Sequence, residues 1–335
     1  MKNQNLFENK IYNLTKFHYK NSKEYKKLID ILHFSKIKKN LEDIPFIPTK
    51  LFKEVDLKSI PDKKIFKILQ SSGTSSGTPS KIFLDKENAK KQTQVLNEIV
   101  SKILGKKRLP MLIIDEKKTI LNSKNFDAKT AAILGFSIFG KDHHYLIKEG
   151  KIDYASLNEF LKKHSNTSCL IFGFTSYIYE YLLKKFEEKK FKGSFSNSIL
   201  IHGGGWKKME KMKISNKIFK EKLEEKHKIK KVINYYGLIE QTGSIFFECR
   251  ECGTFSPSEY SEVLIRDKNF KSLPKNKKGF IQLLSLLPKS YPGQSILTED
   301  IGEIIENNCA KCRGKKKFLV HGRAEKSEIR GCSDV

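Results

Sequence analysis

The stretch Gln70-Ser-Ser-Gly-Thr-Ser-Ser-Gly-Thr-Pro-Ser-Lys-Ile-Phe-Leu84 decides how this chain is read. Apolar Ile65 to Leu69 precede it, and Lys81 to Leu84 read as a strand after it. A loop of hydroxyls and glycines therefore lies between two short strands. Gly73 and Gly77 let the backbone take positive φ and approach a ligand closely. Successive N–H groups in such a loop form an anion-binding concavity. Ser71, Ser72, Thr74, Ser75, Ser76, Thr78 and Ser80 add hydroxyl donors, and Lys81 adds a positive charge. Together they suit a polyphosphate. The competing reading is a flexible Ser/Gly linker. The stretch lacks the Gly-Lys-Ser/Thr that opens the helix of a Walker loop.

Working outward, residues up to about Lys39 read as helical, with Tyr25, Leu28, Ile29, Ile31 and Leu32 at helical spacing. Ile44-Pro-Phe-Ile-Pro48 breaks that pattern, because each proline biases its predecessor toward extended geometry. Beyond the loop, helices (Lys86 to Leu104, Ala128 to Leu134, Ala155 to Lys163, Ser176 to Phe186, Lys217 to His227) alternate with strands. The strands are Met111 to Ile114, Ser137 to Phe139, Cys169 to Phe172, Ser198 to Ile201 and Lys231 to Tyr235. Such alternation implies an α/β fold with a mostly parallel sheet flanked by helices, whose ligands sit beyond the carboxyl ends of strands. After Gly243 short extended segments take over, giving a β-rich C-terminal part. The expected division is an N-terminal helical segment (1–43), an α/β core (44–243) and the β-rich closing part (244–335).

Three features fall where strands end. Ile199-Leu-Ile-His-Gly-Gly-Gly-Trp206 closes on three glycines; Val232-Ile-Asn-Tyr-Tyr-Gly-Leu-Ile-Glu240 closes on an aromatic pair, a glycine and an acid; Ile296-Leu-Thr-Glu-Asp-Ile-Gly302 carries an acid in an expected turn. Singly each has a bland explanation: a turn, a packed pair of rings, a solvated acid. Jointly they are the parts of a nucleotide site: His202, Gly203, Gly204 and Gly205 as a flat surface, Tyr235 and Tyr236 with Gly237 for a purine, Glu240 and Asp300 for metal and ribose.

In this order the motifs resemble the acyl-adenylate-forming superfamily, and most closely the acyl-protein synthetases (LuxE-type), kin of the phenylacetate-CoA ligases. The resemblance runs from about Ile44 to Asp334. It implies the large N-terminal-type domain of that superfamily and ATP with Mg²⁺ as cofactors. It matches Ser71-Ser-Gly-Thr74 to the phosphate loop, with Ser75 beyond it, and places Tyr236 at the adenine and Glu240 toward Mg²⁺. It further implies that Asp300 of Thr298-Glu-Asp300 holds the ribose, and that Arg323, in the hinge motif Gly322-Arg323 with Ile329-Arg-Gly331, contacts ribose and phosphate. Phe172, Gly173 and Phe174 resemble the acyl-pocket segment, though core packing explains them too. This loop is one residue longer than the common form. The chain also stops at the hinge, so the mobile C-terminal domain with its adenylation lysine is expected to be absent or truncated; Lys81 is the basic residue beside the loop.

The chemistry implied is attack of a carboxylate on the α-phosphorus of ATP, followed by acyl transfer to a thiol. Cys332, in Arg330-Gly-Cys-Ser-Asp334, is the candidate thiol, because the nearby Arg330 favours thiolate. In the resembling family a cysteine near the C-terminus carries the acyl group; an ordinary exposed tail cysteine is the alternative. Cys249-Arg-Glu-Cys252 and Cys309-Ala-Lys-Cys312 read as one structural Zn²⁺ site of four thiolates, with a redox pair as the rival. Cys169 reads as core, and His143 and His144 as surface residues.

Composition bounds the rest. The 335 residues carry a formal charge of +27, which ordinarily points to nucleic acid or an anionic surface. Only six of the 65 basic residues are Arg, the preferred bidentate reader of phosphates and bases, so a nucleic-acid partner is disfavoured. No apolar run approaches the roughly 20 residues of a membrane span. The N-terminus has no apolar signal core, so the expected location is cytoplasmic. The expected partners are a carboxylic acid and an acyl reductase or acyl-carrier protein. The rivals are an acyl-CoA ligase of the phenylacetate type and, from another class, a zinc-bearing basic nucleic-acid-binding protein.

Overall fold

The computed structural model describes residues 2–32, 37–71, 78–121, 126–189, 191, 193–206, 209, 212–306, 308–312 and 316–324. The chain forms two compact units: Val100–Tyr236 makes one, and Met1–Ile99 with Gly237–Ile329 makes the other. The expected division into 1–43, 44–243 and 244–335 is linear along the chain, whereas here the segment before residue 100 groups with residues after 237.

The unit Val100–Tyr236 holds the parallel sheet. Its strands lie in the order Lys231–Tyr236, Ser198–Gly203, Cys169–Phe174, Leu109–Glu116, Gly140–Lys148, Lys151–Ile152. The first five run parallel and the last is antiparallel. Leu109–Glu116 comes first in the chain but sits inside the sheet, so the strand order reverses there. Helices Ala128–Ser137, Tyr154–His164 and Asn216–His227 form the crossovers. They start where a side chain caps free N–H groups: Asp127 accepts from Thr130, Asp153 from Ser156 and Ser215 from Ile218. On one sheet face Leu112, Ile171, Leu200 and Val232 pack with Leu182, Phe219 and Leu223. On the other, Phe136 stacks on Phe172 with centroids 4.4 Å apart.

Two expectations here need correction. Ser137–Phe139 is not a strand: the helix runs to Ser137 and the strand is Gly140–Lys148. Its first half is exposed and polar, through Lys141, Asp142 and His143, so it carries no apolar signal. The helix expected over Ser176 to Phe186 starts at Thr175, and its middle, Tyr179–Lys185, is wound as a π-helix.

The second unit is built on Ser295–Ile304. Gly279–Ser285 pairs antiparallel along one edge of it and is followed by Ser261–Arg266. The other edge is shared end to end by Ile47–Pro48, parallel, and Phe318–Arg323, antiparallel. Asp300 therefore lies within a strand, not in a turn. Thr298, Asp300 and Gly302 share its buried side, so polar residues occupy positions where apolar alternation would have announced a strand. Helix Lys2–Asn21 is pinned by buried His18: its Nε2–H donates to Pro288 O at 3.0 Å, and its Nδ1 accepts from the Ser59 hydroxyl at 2.7 Å. Arg266 is buried too, with Nε on Gln282 Oε1 at 2.6 Å and a terminal nitrogen on Glu42 O at 2.7 Å. Lys67–Gln70 and Lys81–Leu84, the strands on either side of the Ser/Gly stretch, pair antiparallel.

Candidate active site

Of the loop residues, Ser72, Gly73, Thr74 and Ser75 lie outside the described residues. Its neck is described. The Ser71 N–H donates to Ser80 O at 3.0 Å, and the Ser80 N–H donates to Ser71 Oγ at 2.8 Å, extending the hairpin by one rung. The Ser80 hydroxyl donates to Glu240 Oε1 at 3.0 Å. Lys81 points the other way, its Nζ 3.2 Å from Asp56 Oδ1 on the surface. Strand alternation explains this: Ser80 and Lys81 are neighbours and face opposite sides.

Glu240 sits in the short 3₁₀ turn Ile239–Gln241. The Tyr291 hydroxyl donates to its carbonyl at 2.9 Å, and Gln241 Nε2 donates to Leu283 O and Gly293 O at 3.1 and 2.9 Å. Gly293 is required there, since a Cβ would lie 2.6 Å from Glu240 O. The Glu240 side chain is 1% exposed, and its Oε2 has no hydrogen-bond partner among the described residues. A carboxylate buried with one hydroxyl donor and no cation is costly. An oxygen-seeking divalent cation such as Mg²⁺ relieves that cost, so the donor set fits the ion.

Asp300, Thr298 and Arg323 come together in the long-strand sheet of the same unit. The Asp300 N–H donates to Thr298 Oγ1 at 3.1 Å, and the Thr298 hydroxyl donates to Ile281 O at 2.9 Å. Asp300 is the register partner of Arg323, whose guanidinium pairs with Glu299. Gly322, at φ +122°, allows the irregular pairing beside it. Residues 329–331 of the hinge motif and Cys332 lie outside the described residues.

Gly237 opens the C-terminal segment of the same unit as Glu240, and the remaining expected nucleotide and acyl residues belong to the parallel-sheet unit. His202, the penultimate residue of its strand, is buried; its Nδ1 lies 2.9 Å from Thr175 Oγ1, whose hydroxyl donates to Gly203 O at 3.1 Å. One hydroxyl proton given to Gly203 makes Nδ1 the protonated nitrogen, leaving Nε2 a bare acceptor with no partner among the described residues. Burial holds His202 down to about 3, so it is neutral near pH 7. The Tyr235 ring lies on Gly203, where a Cβ would come within 2.5 Å of it. Tyr235 thus fills the flat surface that Gly203 offers, packs on Phe136 and Phe172, and has its hydroxyl pushed up by burial. Tyr236 is buried beside it in sequence. Gly204, at φ +79°, turns the chain, and Gly205 is exposed with open space around its Cα. Phe172 and Phe174 are buried in edge contact at 6.0 Å, and Gly173 has no room for a side chain between Ile114 and Ile178.

Sequence reasoning missed Ser80 as a contact of Glu240; strand alternation was the signal that separates it from Lys81. It also missed a buried pair at the carboxyl end of Leu109–Glu116. There Lys129 Nζ lies 2.8 Å from Asp115 Oδ2 and 4.3 Å from the centre of the Tyr177 ring. Nothing in the spacing of these residues announces it.

The sulfurs of Cys249, Cys252, Cys309 and Cys312 all lie within 4.8 Å of one another. Cys249 and Cys309 are 3.8 Å apart, and Cys252 and Cys312 are 3.5 Å apart. A tetrahedral zinc with bonds of about 2.3 Å has sulfur–sulfur edges of about 3.8 Å, so the cluster fits that ion. Burial opposes ionisation of Cys252, but the Thr254 hydroxyl and N–H hold it down to about 7. Gly253, at φ +70°, closes this knuckle with its N–H on Cys249 O at 2.8 Å.

Comparison with known proteins fits this geometry. The profile of the acyl-protein synthetase family, LuxE, matches residues 1–335. The chain is 25% identical over 300 residues to the long-chain-fatty-acid–luciferin-component ligase of Vibrio harveyi, covering 87% of this chain and 77% of that protein. It is 23% identical over 298 residues to the protein of the same name from Aliivibrio fischeri, with the same 87% and 77% coverage. An open conformation of 2-hydroxyisobutyryl-CoA ligase, in complex with 2-HIB-AMP and CoA, superposes with a TM-score of 0.74 over 97% of this chain and 76% of that one; at 14% identity this likeness shows the fold. The full-length match shows that the chain belongs to the LuxE acyl-protein synthetase family, ATP-dependent ligases on the adenylate-forming fold.

Proposed function

We propose that the protein activates a long-chain fatty acid with ATP and carries the acyl group as a thioester on Cys332. The observation that carries this reading is the buried Glu240 carboxylate, one oxygen bare, at the neck of the phosphate loop. The relatives' name supports a fatty acid as substrate. A carboxylate oxygen of the acid attacks the α-phosphorus, the bond to the bridging oxygen breaks, and pyrophosphate leaves. The Cys332 thiolate then attacks the acyl carbon and AMP leaves. Glu240 would hold Mg²⁺, which would supply positive charge beside the phosphate oxygens. In this reading Asp300 accepts the ribose hydroxyls, Arg323 meets ribose and phosphate, and Tyr236 with His202, Gly204 and Gly205 frames the adenine. Phe172 to Phe174 border the acyl chain, and the four cysteines would hold a structural Zn²⁺. A cytoplasmic setting keeps Cys332 reduced, and the acceptor beyond it is an acyl reductase or carrier protein.

Carboxylate-dependent exchange of pyrophosphate into ATP, screened over short, long and aromatic acids, tests the first step. Cys332→Ser is expected to keep that exchange and to lose hydroxylamine-sensitive labelling by radioactive acid plus ATP. Serine fails as acceptor because its hydroxyl is far less nucleophilic at neutral pH without an activating base. Full labelling of Cys332→Ser, mapped elsewhere, overturns the carrier role. A wild type that never labels but forms acyl-CoA makes the protein an acyl-CoA ligase instead.

A further inference from the structure

We infer that Ser80 is a positioning residue for the metal ligand, holding one Glu240 oxygen so that the other stays directed at the cation. This rests on the reading of Glu240 as the ligand of Mg²⁺ bound with ATP. Every polar group of Ser80 is committed. Its N–H goes to Ser71 Oγ, its carbonyl takes the Ser71 N–H, and its hydroxyl goes to Glu240 Oε1. Ser71 and Ser80 bracket the loop, so one hydrogen-bonded unit joins both ends of the loop to the carboxylate. The backbone around Glu240 is fixed independently by Tyr291 and Gln241. Its side-chain torsions are what remain free, and Ser80 is the hydrogen-bond donor that restrains them among the described residues. Both residues are about as buried as side chains become, at 1% exposure each, so water does not replace the bond. Lys81 cannot take this role, since it faces Asp56 on the other side of the strand.

The test is Mn²⁺ binding to the full chain at saturating ATP, read by electron paramagnetic resonance. The variants are Ser80→Ala, Ser80→Thr and Glu240→Gln. Melting curves and ATP affinity in chelator are measured alongside. Ser80→Ala is expected to weaken Mn²⁺ about tenfold, the loss of one hydrogen bond to a charged group. Its metal-free ATP affinity is expected to fall by a smaller factor than its Mn²⁺ affinity, and Ser80→Thr, which keeps the hydroxyl, to restore Mn²⁺ binding. Should the alanine variant not fold, Ser80→Cys, near-isosteric with a weak donor, is expected to show the same loss. Wild-type Mn²⁺ affinity in Ser80→Ala or Ser80→Cys, with loss in Glu240→Gln, overturns the role of Ser80 alone. Failure of Ser80→Thr to restore binding overturns it as well. Wild-type Mn²⁺ affinity in Glu240→Gln removes Glu240 as the ligand, and this inference falls with it.

Discussion

Two carboxylates of the same unit, Glu240 and Asp300, are both almost entirely out of water, yet they are held differently. Glu240 sits on a turn braced by Tyr291 and Gln241, whereas Asp300 is a rung of a regular strand opposite Arg323. A strand fixes a carboxylate by its backbone, so truncating Asp300 leaves its neighbours in place. Asp300→Ala is expected to weaken ATP binding by about 1.5–3 kcal/mol, the worth of a charged hydrogen bond to a ribose hydroxyl. Isothermal calorimetry checks this, and unchanged affinity removes Asp300 from the site. Glu240 and Asp300 stand out as candidates in the chain because each lies in a short motif whose order along the chain is informative. Lys81 was singled out by charge, and charge says nothing about which way a strand residue faces. Tyr235 was legible as an aromatic face, but only the register that sets it against Gly203 shows that its ring is already packed.

Among the elements, the two cysteine knuckles show what spacing reveals and what it leaves open. Each Cys-x-x-Cys is visible in the chain; that the pairs meet depends on Phe255 bridging Phe318, which brings residues near 250 to residues near 312. Binding a metal there joins segments far apart in sequence, so its free energy is folding free energy. Cys309→Ser is expected to lower the melting temperature by about 5 °C or more and to release the metal. Metal analysis of untagged protein, never exposed to chelator, checks the premise; less than about a tenth of an equivalent of zinc sinks it. Strands such as Cys169–Phe174 were legible from continuous apolar runs. Gly140–Lys148 and Ser295–Ile304 were misread because polar residues occupy positions that tertiary packing, not local pattern, renders extended.

On the scale of the molecule, each unit contains a histidine buried as a neutral ring: His18 in one and His202 in the other. Burial pushes both down to about 3. The unfolded chain protonates such rings near pH 6.5, so between that pH and about 3 it binds more protons than the folded chain. Stability is therefore intact above pH 6.5 and falls with acidification, by about 1.4 kcal/mol per pH unit for each ring. Urea midpoints at pH 7.5 and 5.5 check this, and a midpoint that does not fall with pH removes both rings as acid-sensitive points. The alternation of helices and strands made the parallel sheet legible, but the sequence held no mark of where residues 1–99 find their partners. Those partners, from Gly237 onward, set an order of events during synthesis. At about 5–20 residues per second, the first 99 residues wait on the order of ten seconds for the segment that completes their core. Throughout that interval Ile11, Tyr25, Ile29 and Ile47 remain exposed to chaperones and to one another, while the intervening unit has all its strands in hand and is free to fold first.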